Sequence, residues 1–441
     1  MDWKNWKEIY ASRLCTAEEA VQSIKSGDSV IFGHCISEPT GLIDAMVANA
    51  DAYRNVAISH MVSLGKGEYT KPEYKDNFTF KGIFCGAGTR KCVADGHGDF
   101  IPVYFSDVPV WMRNGLLNFD VCMVMLSPPD ERGYCNLGVE SGYTYQAIKS
   151  AKTVIAQINE NVPVAYGDTF VHVSELDKIV EMNMPLFEQA PPKIGEVEKA
   201  IGKYCASLIE DGSTLQLGIG AIPDAVLAEL KDRKHLGIHS EMIADGVIDL
   251  VEAGVIDCSE KTLHNGKMIV TFLMGTKRLY DFAHKNPMLE LKPVDYVNNP
   301  AVIAKNNKMV SINSALQVDF MGQVVACTIG KKQFSGVGGQ VDFVRGAAMA
   351  EDGKGVSIIA MPSITTKKDG TVISKITPYI DEGAAVTTNR YDVDYIVTEY
   401  GIARMKGKTL KERARALIEI AHPSVREELA KEFEARFNTA Y

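Results

Sequence analysis

Two similar stretches, one near the N-terminus and one near the middle of the chain, constrain the fold more than any other feature. Gly27 is followed six residues later by Gly33, and Gly212 is followed six residues later by Gly218. In each stretch an apolar helix precedes a short apolar strand, and a turn that contains a proline leads into another apolar helix. This repeated order predicts two related α/β halves. Because strand–turn–helix units are common, chance similarity is the alternative explanation.

Strands and helices alternate along the rest of the chain, which predicts an α/β fold of two related domains with mostly parallel sheets. Helices are predicted over residues 1–26, Leu410–Ala421 and Ser424–Phe437. The predicted strands are Val56–Ser59, Phe78–Phe84, Val103–Phe105, Val121–Leu126, Thr153–Gln157, Met268–Phe272, Val294–Val297, Met309–Ser311 and Val356–Ala360. The proline-containing segment Pro185–Lys193 predicts a linker, so we place the domains at residues 1–190 and 191–441.

Composition excludes several classes of protein. Of the 441 residues 46% are apolar and 23% charged, as in ordinary globular proteins, and the net charge of -9 argues against general nucleic-acid binding. The sequence contains no run of 18 apolar residues, so it predicts no membrane span. The polar N-terminus does not resemble a secretory signal. Nine scattered cysteines without a C-x-x-C pair predict reduced thiols in a cytoplasmic protein.

The second of the two similar stretches places several polar groups at the carboxyl edge of a sheet. Thr214–Leu217 predicts a strand, Asp224–Leu230 a helix and Leu236–His239 a second strand. Glu241 then stands where we expect the next helix to begin. Open α/β sheets bind ligands at the carboxyl ends of their strands, so this edge is the predicted site.

Glu241 is the candidate nucleophile. A carboxylate in a first helical turn, after Ser240 as N-cap, is stabilised by the helix dipole and stays ionised at neutral pH. An ionised and partly desolvated carboxylate can act as a nucleophile. An ordinary first-turn acid without a catalytic role is the alternative, and spacing alone favours it.

A glycine turn joins the first of these strands to the helix, and it consists of Gly218, Ile219, Gly220, Ala221 and Ile222. The turn contains G-x-G, but a proline replaces the third glycine of a dinucleotide-binding motif, so such a site is poorly supported. Its bare backbone N–H groups would let a ligand approach closely. A plain strand-to-helix turn is the alternative.

A second glycine-rich segment, from Phe334 to Gly346, contains three glycines within four residues. Backbone N–H groups in such a segment can stabilise an oxyanion, and the segment continues with Gln340, Asp342 and Arg345. A structural need for positive φ angles is the alternative.

Further polar residues are predicted at strand ends. Asn313 and Ser314 are expected just past a strand, where Asn313 would donate to a developing oxyanion or simply form a turn. Glu399 is a second carboxylate candidate, for which a structural role is the more ordinary interpretation.

Two common catalytic arrangements are not indicated. His235 and His239 are four residues apart, but the intervening Leu-Gly-Ile predicts a strand, and H-E-x-x-H is absent, so we expect no metal site. The G-x-S-x-G motif of many serine hydrolases is also absent.

Several motifs in order, GIGAIPDAV, GIHSEM, FSGVGGQVDFVRGA and AAVTTNRYDVDYIVTEYGIA, resemble the acetyl-CoA hydrolase/transferase family. The resemblance also covers HMVSLGKGEY, MLSPPDERG and YGDTFVHVSELD, and so nearly the whole chain. It implies two α/β domains of the CoA-transferase fold, usually in a homodimer. Coenzyme A is then a substrate and a covalent intermediate, and no cofactor is permanently bound.

The resemblance also implies roles for individual residues. Glu241 matches the glutamate that forms a CoA thioester, and the turn Gly218–Ile222 matches a loop that contacts CoA. Gly336–Gly339 and Asn313 match positions near the thioester. Residues implied to contact CoA or an oxyanion are Leu316, Gly338, Gly339 and Lys367.

The implied activity is transfer of CoA between short-chain carboxylic acids, 4-hydroxybutyrate with acetyl-CoA or butyryl-CoA. Transfer between butyryl-CoA and acetate, hydrolysis of acyl-CoA, and CoA binding by a non-catalytic regulator are the alternatives. A carboxylate nucleophile conserves the thioester energy, provided that water is excluded.

The internal repeat also suggests which residues of the first half recognise the acyl group. It places the turn after Gly33 at a strand end equivalent to that of the glycine turn at Gly218. The candidates are therefore His34, Glu38 and the loop Met61–Gly65. Ordinary core or turn roles are the alternative for each.

Overall fold

The computed structural model describes residues 5–441 and divides the chain into two compact units. The first unit runs to Gln189 and the second begins at Ala190, within the predicted linker. The segments Ile269–Val297 and Gln333–Gly338, however, belong to the first unit. The second unit is therefore not the continuous stretch 191–441 that the sequence suggested.

Helices and strands alternate through the first 190 residues. The helices are α1 (Trp6–Arg13), α2 (Ala17–Val21), α3 (Thr40–Ala48), α4 (Arg90–Ala94), α5 (Val108–Arg113) and α6 (Thr144–Ser150). The strands are β1 (Ser29–Phe32), β2 (Val56–Ser59), β3 (Phe78–Gly82), β4 (Gly98–Phe100), β5 (Val121–Leu126), β6 (Tyr134–Asn136), β7 (Thr153–Ile158), β8 (Tyr166–Gly167), β9 (Phe170–His172) and β10 (Lys178–Glu181).

The alternation continues in the remaining residues. The helices are α7 (Glu196–Ala206), α8 (Ala221–Ala228), α9 (Gly246–Glu252), α10 (Lys277–Ala283), α11 (Val294–Val297), α12 (Pro300–Ile303), α13 (Gln340–Ala348), α14 (Leu410–Glu419) and α15 (Pro423–Phe437). The strands are β11 (Thr214–Gln216), β12 (Gly237–Ile238), β13 (Met242–Ile243), β14 (Met268–Val270), β15 (Phe272–Leu273), β16 (Leu289–Leu291), β17 (Met309–Ser314), β18 (Gln317–Asp319), β19 (Val324–Val325), β20 (Thr328–Ile329), β21 (Lys332–Gln333), β22 (Val356–Ala360), β23 (Ile364–Thr366), β24 (Val372–Ser374), β25 (Ile376–Thr377), β26 (Tyr395–Thr398) and β27 (Gly401–Arg404).

A seven-stranded sheet organises the first unit, in the order β10-β7-β5-β1-β2-β3-β4, and all its neighbouring strands are parallel. The chain moves outward from β1 in one direction through β2 to β4 and in the other through β5 to β10. The strand order therefore reverses between β1 and β5. Such a reversal opens a crevice at the carboxyl ends of the two strands.

The main sheet of the second unit has the order β12-β11-β17-β22-β26-β27, and only its last pair is antiparallel. Its first strand, β11, lies between the next strand, β12, and the later strand β17. The first strand of the other unit, β1, lies in the same way between β2 and β5. The α/β prediction with mostly parallel sheets is confirmed, and each sheet has its reversal next to its first strand.

Most predicted strands are present, but two predictions are wrong. Val103–Phe105 is not a strand, because Phe105 begins a 3₁₀ turn that leads into α5. Val294–Val297 is the short helix α11: Pro293 precedes it and accepts the N–H of Val297, and the two valines are buried at helical spacing. β-branched residues suggested strands at both places, but the local turns decide the conformation.

The helical prediction for residues 1–26 covers the two helices α1 and α2, with residues 1–4 outside the described part. Thr16 and Glu19 form a capping box, in which each side chain accepts the other residue's backbone N–H. Of the helices within residues 5–441, none combines the length and the apolar character that crossing a bilayer requires.

Candidate active site

The glycine turn follows β11 at the strand-order reversal of the second unit. Gly220 has a φ of +116°, a backbone conformation that residues other than glycine rarely adopt. A Cβ at Gly218 would meet nothing within 4 Å, and Ile219 is 42% exposed. The backbone of the turn is thus accessible to an approaching ligand.

Glu241 lies in a turn between β12 and β13, and the next helix, α9, begins only at Gly246. The prediction that Glu241 occupies a first helical turn is therefore wrong, and the argument from the helix dipole does not apply. Ser240 is not an N-cap either. Its hydroxyl bonds to the backbone of Leu217 and Met242, and Met242 continues into a strand instead of a helix.

Asn298 holds the carboxylate of Glu241. Its Nδ2 donates to Oε2 of Glu241 at 2.6 Å, and the Asn298 side chain is fully buried. A Cβ placed on Gly339 would lie 2.2 Å from Oε2 and 2.4 Å from this amide nitrogen. Only a glycine at position 339 therefore leaves room for the pair. The carboxylate is partly exposed, so one oxygen is fixed while the group remains accessible.

Sequence reasoning missed Asn298. It is the first residue of an Asn-Asn-Pro sequence, in which Pro300 begins α12 and Asn299 caps it by accepting the N–H of Ala301. Asn299 alone is enough for this cap. Asn298 is therefore a polar residue that the local structure does not require, and this surplus asparagine before the cap is the sequence signal that could have identified it.

Asn313 is not past a strand end, as predicted, but is the fifth residue of the six-residue strand β17, and Ser314 is the sixth. Its Nδ2 donates to Oε1 of Gln216 on the neighbouring strand at 3.1 Å. The hydrogen bond joins the carboxyl ends of β11 and β17. The Asn313 amide therefore makes a strand-to-strand contact, and its role toward an oxyanion stays a prediction.

The second glycine segment crosses the division between the units: Gly338 ends a segment of the first and Gly339 begins one of the second. Gln340 and Asp342 are buried on helix α13, where Gln340 donates to Thr388, and Arg345 is exposed. These three residues therefore belong to a helix and not to the glycine-rich loop itself.

Leu316 lies between β17 and β18, where its backbone N–H donates to the carbonyl of Val325. Lys367 is exposed in the hairpin turn between β23 and β24, and its backbone N–H closes the turn on Thr371. The role of each toward CoA stays a prediction.

Glu399 follows β26 and is anchored by Ser363, whose backbone N–H and hydroxyl each donate to one carboxylate oxygen. Burial lowers the pKa of the neighbouring Lys375, and the charge of Glu399 opposes this. The hydrogen bonds fix the Glu399 carboxylate against the loop after β22, which is consistent with the structural interpretation.

In the first unit, Glu38 clamps the loop that follows β2. Its Oε1 accepts the hydroxyl of Ser63, and its Oε2 accepts the backbone N–H groups of Leu64 and Gly65 at 2.8 and 2.9 Å. Burial raises the pKa of Glu38, and these hydrogen bonds oppose the rise. The structure thus brings together two of the three candidates that the internal repeat suggested.

His34, the third candidate, lies in a buried cluster. Its Nε2 is 3.2 Å from Oε1 of Glu140, and its ring stacks on Tyr143 with centroids 5.1 Å apart. His34 is 1% exposed and Glu140 is fully buried. Burial disfavours the imidazolium, but the charges of Cys35 and Glu140 outweigh it and raise the pKa of His34 to about 10. The side chain is therefore the cation of a buried ion pair.

A cavity of about 410 Å³ opens at the strand-order reversal of the first unit. Its apolar lining includes Ile36 after β1, Leu64 after β2 and Met125 in β5, and the chain from Met184 to Phe187 covers one side. Within residues 5–441, no group of three or more His, Cys, Asp or Glu side chains is arranged to hold a metal ion.

Comparisons with known proteins agree with this architecture. The N-terminal domain of the acetyl-CoA hydrolase/transferase family matches residues 1–187, and its C-terminal domain matches residues 275–433. The chain belongs to the acetyl-CoA hydrolase/transferase family.

Among its relatives, 4-hydroxybutyrate coenzyme A transferase of Clostridium kluyveri is 57% identical over 98% of this chain and 100% of the relative. Among solved structures, 4-hydroxybutyrate CoA-transferase of Porphyromonas gingivalis is 42% identical with a TM-score of 0.83, over 98% of this chain and 100% of that one. RipA of Yersinia pestis is 36% identical with a TM-score of 0.91, over 99% of both chains.

Proposed function

We propose that this protein transfers CoA between short-chain carboxylic acids, from acetyl-CoA or butyryl-CoA to 4-hydroxybutyrate and back, through a thioester on Glu241. The observation that carries the proposal is the carboxylate of Glu241, held through one oxygen by Asn298 in a family whose members act on acyl-CoA. The two relatives named as 4-hydroxybutyrate CoA-transferases support the choice of acid.

The reaction needs only a carboxylate nucleophile. An oxygen of Glu241 attacks the carbonyl carbon of the acyl-CoA, the C–S bond breaks, and an acyl-glutamyl anhydride and CoA thiolate result. The thiolate attacks the glutamyl carbon, the bond between this carbon and the bridging oxygen breaks, and the first acid leaves as a carboxylate that carries the bridging oxygen. The acceptor acid then reverses both steps. No water and no net proton are consumed, so the thioester energy is retained.

The contact with Asn298 separates the two oxygens of Glu241. Because Oε2 is held by the amide, the other oxygen is the one that attacks. When the thiolate adds to the glutamyl carbon, negative charge develops on the oxygen that stays, and the Asn298 amide donates to it. A preorganised donor of this kind typically contributes a factor of about 10²–10³ in rate.

We further propose that the first unit binds the acyl chain in the cavity at its strand-order reversal. The lining is mostly apolar, as a two- to four-carbon chain requires, and Glu38 fixes one wall by holding Leu64 and Gly65. A homodimer is the assembly that we expect from the family.

The test is a two-substrate kinetic analysis of the wild type and the variants Glu241→Gln and Glu241→Asp, with butyryl-CoA and acetate or 4-hydroxybutyrate. The wild type should give the parallel double-reciprocal lines of a ping-pong reaction. Glu241→Gln should lose transfer by at least about a thousandfold, since the amide is not a nucleophile. Glu229→Gln, an exposed carboxylate at the end of α8, is the control and should keep full activity.

Other outcomes would favour the alternatives. Release of CoA at a rate independent of the acceptor acid would indicate a hydrolase. Binding of CoA without turnover would indicate a regulator. Transfer at the wild-type rate by Glu241→Gln would contradict the proposal.

A further inference from the structure

The hydroxyl of Ser240 connects the turn of Glu241 to the glycine turn. Its Oγ accepts the backbone N–H of Leu217 at 3.2 Å and donates to the carbonyl of Met242 at 2.7 Å. The carbonyl of Leu217 lies 3.1 Å from the same oxygen. Ser240 is 1% exposed, so water does not compete for these bonds. One hydroxyl thus joins Leu217, the residue before the glycine turn, to Met242, the residue after Glu241.

Leu217 is the last residue before Gly218, so the same hydroxyl also fixes the start of the glycine turn. An antiparallel bridge between Leu217 and Met242 supports the contact. On the other side, the buried ammonium of Lys261 donates to the carbonyl of Ile238, the last residue of β12, at 2.8 Å. The backbone around Glu241 is therefore attached on both sides, and the side chain of Ser240 attaches it to the start of the glycine turn.

We propose that Ser240 is a positioning residue, whose hydroxyl holds Glu241 in register with the glycine turn so that the carboxylate meets the thioester of a bound acyl-CoA. This inference rests on the proposed function of Glu241. Alanine would fill most of the same volume, so the contribution of the hydroxyl lies in its hydrogen bonds to the backbone of Leu217 and Met242. These bonds hold the residue after Glu241 against the start of the glycine turn.

The expected consequence concerns the chemical step and not binding. Oε2 of Glu241 lies between the Asn298 amide and the Cα of Gly339. The space is narrow, because a Cβ on Gly339 would lie only 2.2 Å from this oxygen. Reacting groups must be held to within about 0.5 Å of the productive geometry, and an error of 1 Å can cost about a hundredfold in rate. Loss of the hydroxyl would relax the turn by such amounts while leaving the glycine turn available to CoA.

The test compares Ser240→Ala and Ser240→Cys with the wild type and with Ser240→Thr, which restores a hydroxyl. The first readout is the rate at which the Glu241–CoA thioester forms from butyryl-CoA, by rapid quench and mass spectrometry. The second is the Kd for free CoA by calorimetry. The matched control is Ser357→Ala, which removes another buried hydroxyl from the same sheet, one that makes no hydrogen bond.

We expect Ser240→Ala and Ser240→Cys to form the thioester about 10- to 100-fold more slowly, with Kd for CoA within twofold of the wild type. Ser240→Thr should regain most of the rate, and Ser357→Ala should match the wild type. If Ser240→Ala does not fold, the nearly isosteric Ser240→Cys decides the question.

Thioester formation at the wild-type rate in Ser240→Cys or Ser240→Ala would overturn the inference, as would an equal loss in Ser240→Thr and Ser240→Ala. A wild-type protein that forms no thioester would instead refute the proposed function itself, so the two failures are distinguishable.

Discussion

The candidate nucleophile depends on a contact between residues 57 positions apart, the hydrogen bond from Asn298 to Glu241. The amide fixes Oε2 of Glu241, and in the proposed reaction it donates to the charge that develops on this oxygen. The absence of a side chain at Gly339 provides the space for this arrangement. Three residues from separate parts of the second unit are therefore needed to define one reactive group.

The first prediction concerns that space. Gly339→Ala would place a Cβ 2.2 Å from Oε2 of Glu241, so the carboxylate must move out of its contact with Asn298. We expect transfer activity to fall by about 100-fold or more, with little change in the thermal unfolding midpoint. The control is Gly88→Ala, whose Cβ would meet its nearest neighbour at an ordinary 3.8 Å. An active Gly339→Ala variant would show that the Glu241–Asn298 pair is dispensable.

The second prediction concerns how the activity of a variant of the Glu241–Asn298 pair depends on pH. Asn298→Asp would put two carboxylates within hydrogen-bonding distance, and mutual repulsion would raise one pKa of the pair. Because the nucleophile must be ionised, we expect activity to be lost at pH 6 and partly recovered at pH 8–9, measured as a pH profile of kcat. Asn298→Ala should be slow at every pH without this recovery. Identical profiles for the two variants would contradict the account.

The sequence suffices to propose Glu241 and the glycine turn as parts of the candidate site, because the order strand, glycine turn, helix, strand, carboxylate is local. It does not reveal Asn298, because the contact joins segments that only the tertiary structure brings together. It also gave a wrong reason for Glu241: a hydroxyl that binds Leu217 and Met242 prevents the helix that Ser240 would otherwise cap.

The elements place these residues because β1 and β2, and likewise β11 and β12, are parallel neighbours whose carboxyl ends meet at one edge of the sheet. Residues that follow the first strand meet those that follow the second, as Glu38 meets Ser63 and Leu64, and as Leu217 meets Ser240. The alternation of elements was predictable from periodicity. The helix at Val294–Val297 was not, because Pro293 and burial outweigh the strand preference of its valines.

The third prediction concerns the ion pair that follows β1. Glu140→Gln would leave the imidazolium of His34 buried without its carboxylate, and breaking such a pair costs about 3–5 kcal/mol of unfolding free energy. Because the folded-state pKa of His34 is raised to about 10 from a usual value near 6.5, its contribution is complete below pH 6.5 and disappears as pH rises through 10.

The stability gap between wild type and Glu140→Gln should therefore be largest at pH 6 and shrink toward pH 10, measured by urea unfolding. Glu131→Gln, at an exposed position of the same unit, serves as the control. A gap that stays constant from pH 6 to pH 10 would rule out a charged His34.

At the scale of the whole molecule, the two units share one topology around their first strands, but the residues that follow these strands differ in chemistry. The second unit has the glycine turn and the candidate nucleophile Glu241 there, whereas the first has a mostly apolar cavity. The repeat was visible in the sequence. The assignment of residues 269–297 and 333–338 to the first unit was not, because no composition change marks these two segments.

The fourth prediction tests whether the cavity of the first unit binds the acyl chain. Leu64→Phe would narrow the cavity of the first unit, so the ratio of kcat/KM for butyryl-CoA to that for acetyl-CoA should fall about tenfold or more. Leu116→Phe, at a position 69% exposed on the same unit, should leave the ratio unchanged. An unchanged ratio in Leu64→Phe would place the acyl chain elsewhere.

The most direct test of the central claim is intact-protein mass spectrometry after mixing the protein with butyryl-CoA in the absence of an acceptor acid, followed by peptide mapping. The account predicts a CoA-sized adduct on the peptide that contains Glu241, and its discharge on addition of acetate or 4-hydroxybutyrate. Turnover without any such adduct, or an adduct on a different peptide, would contradict it.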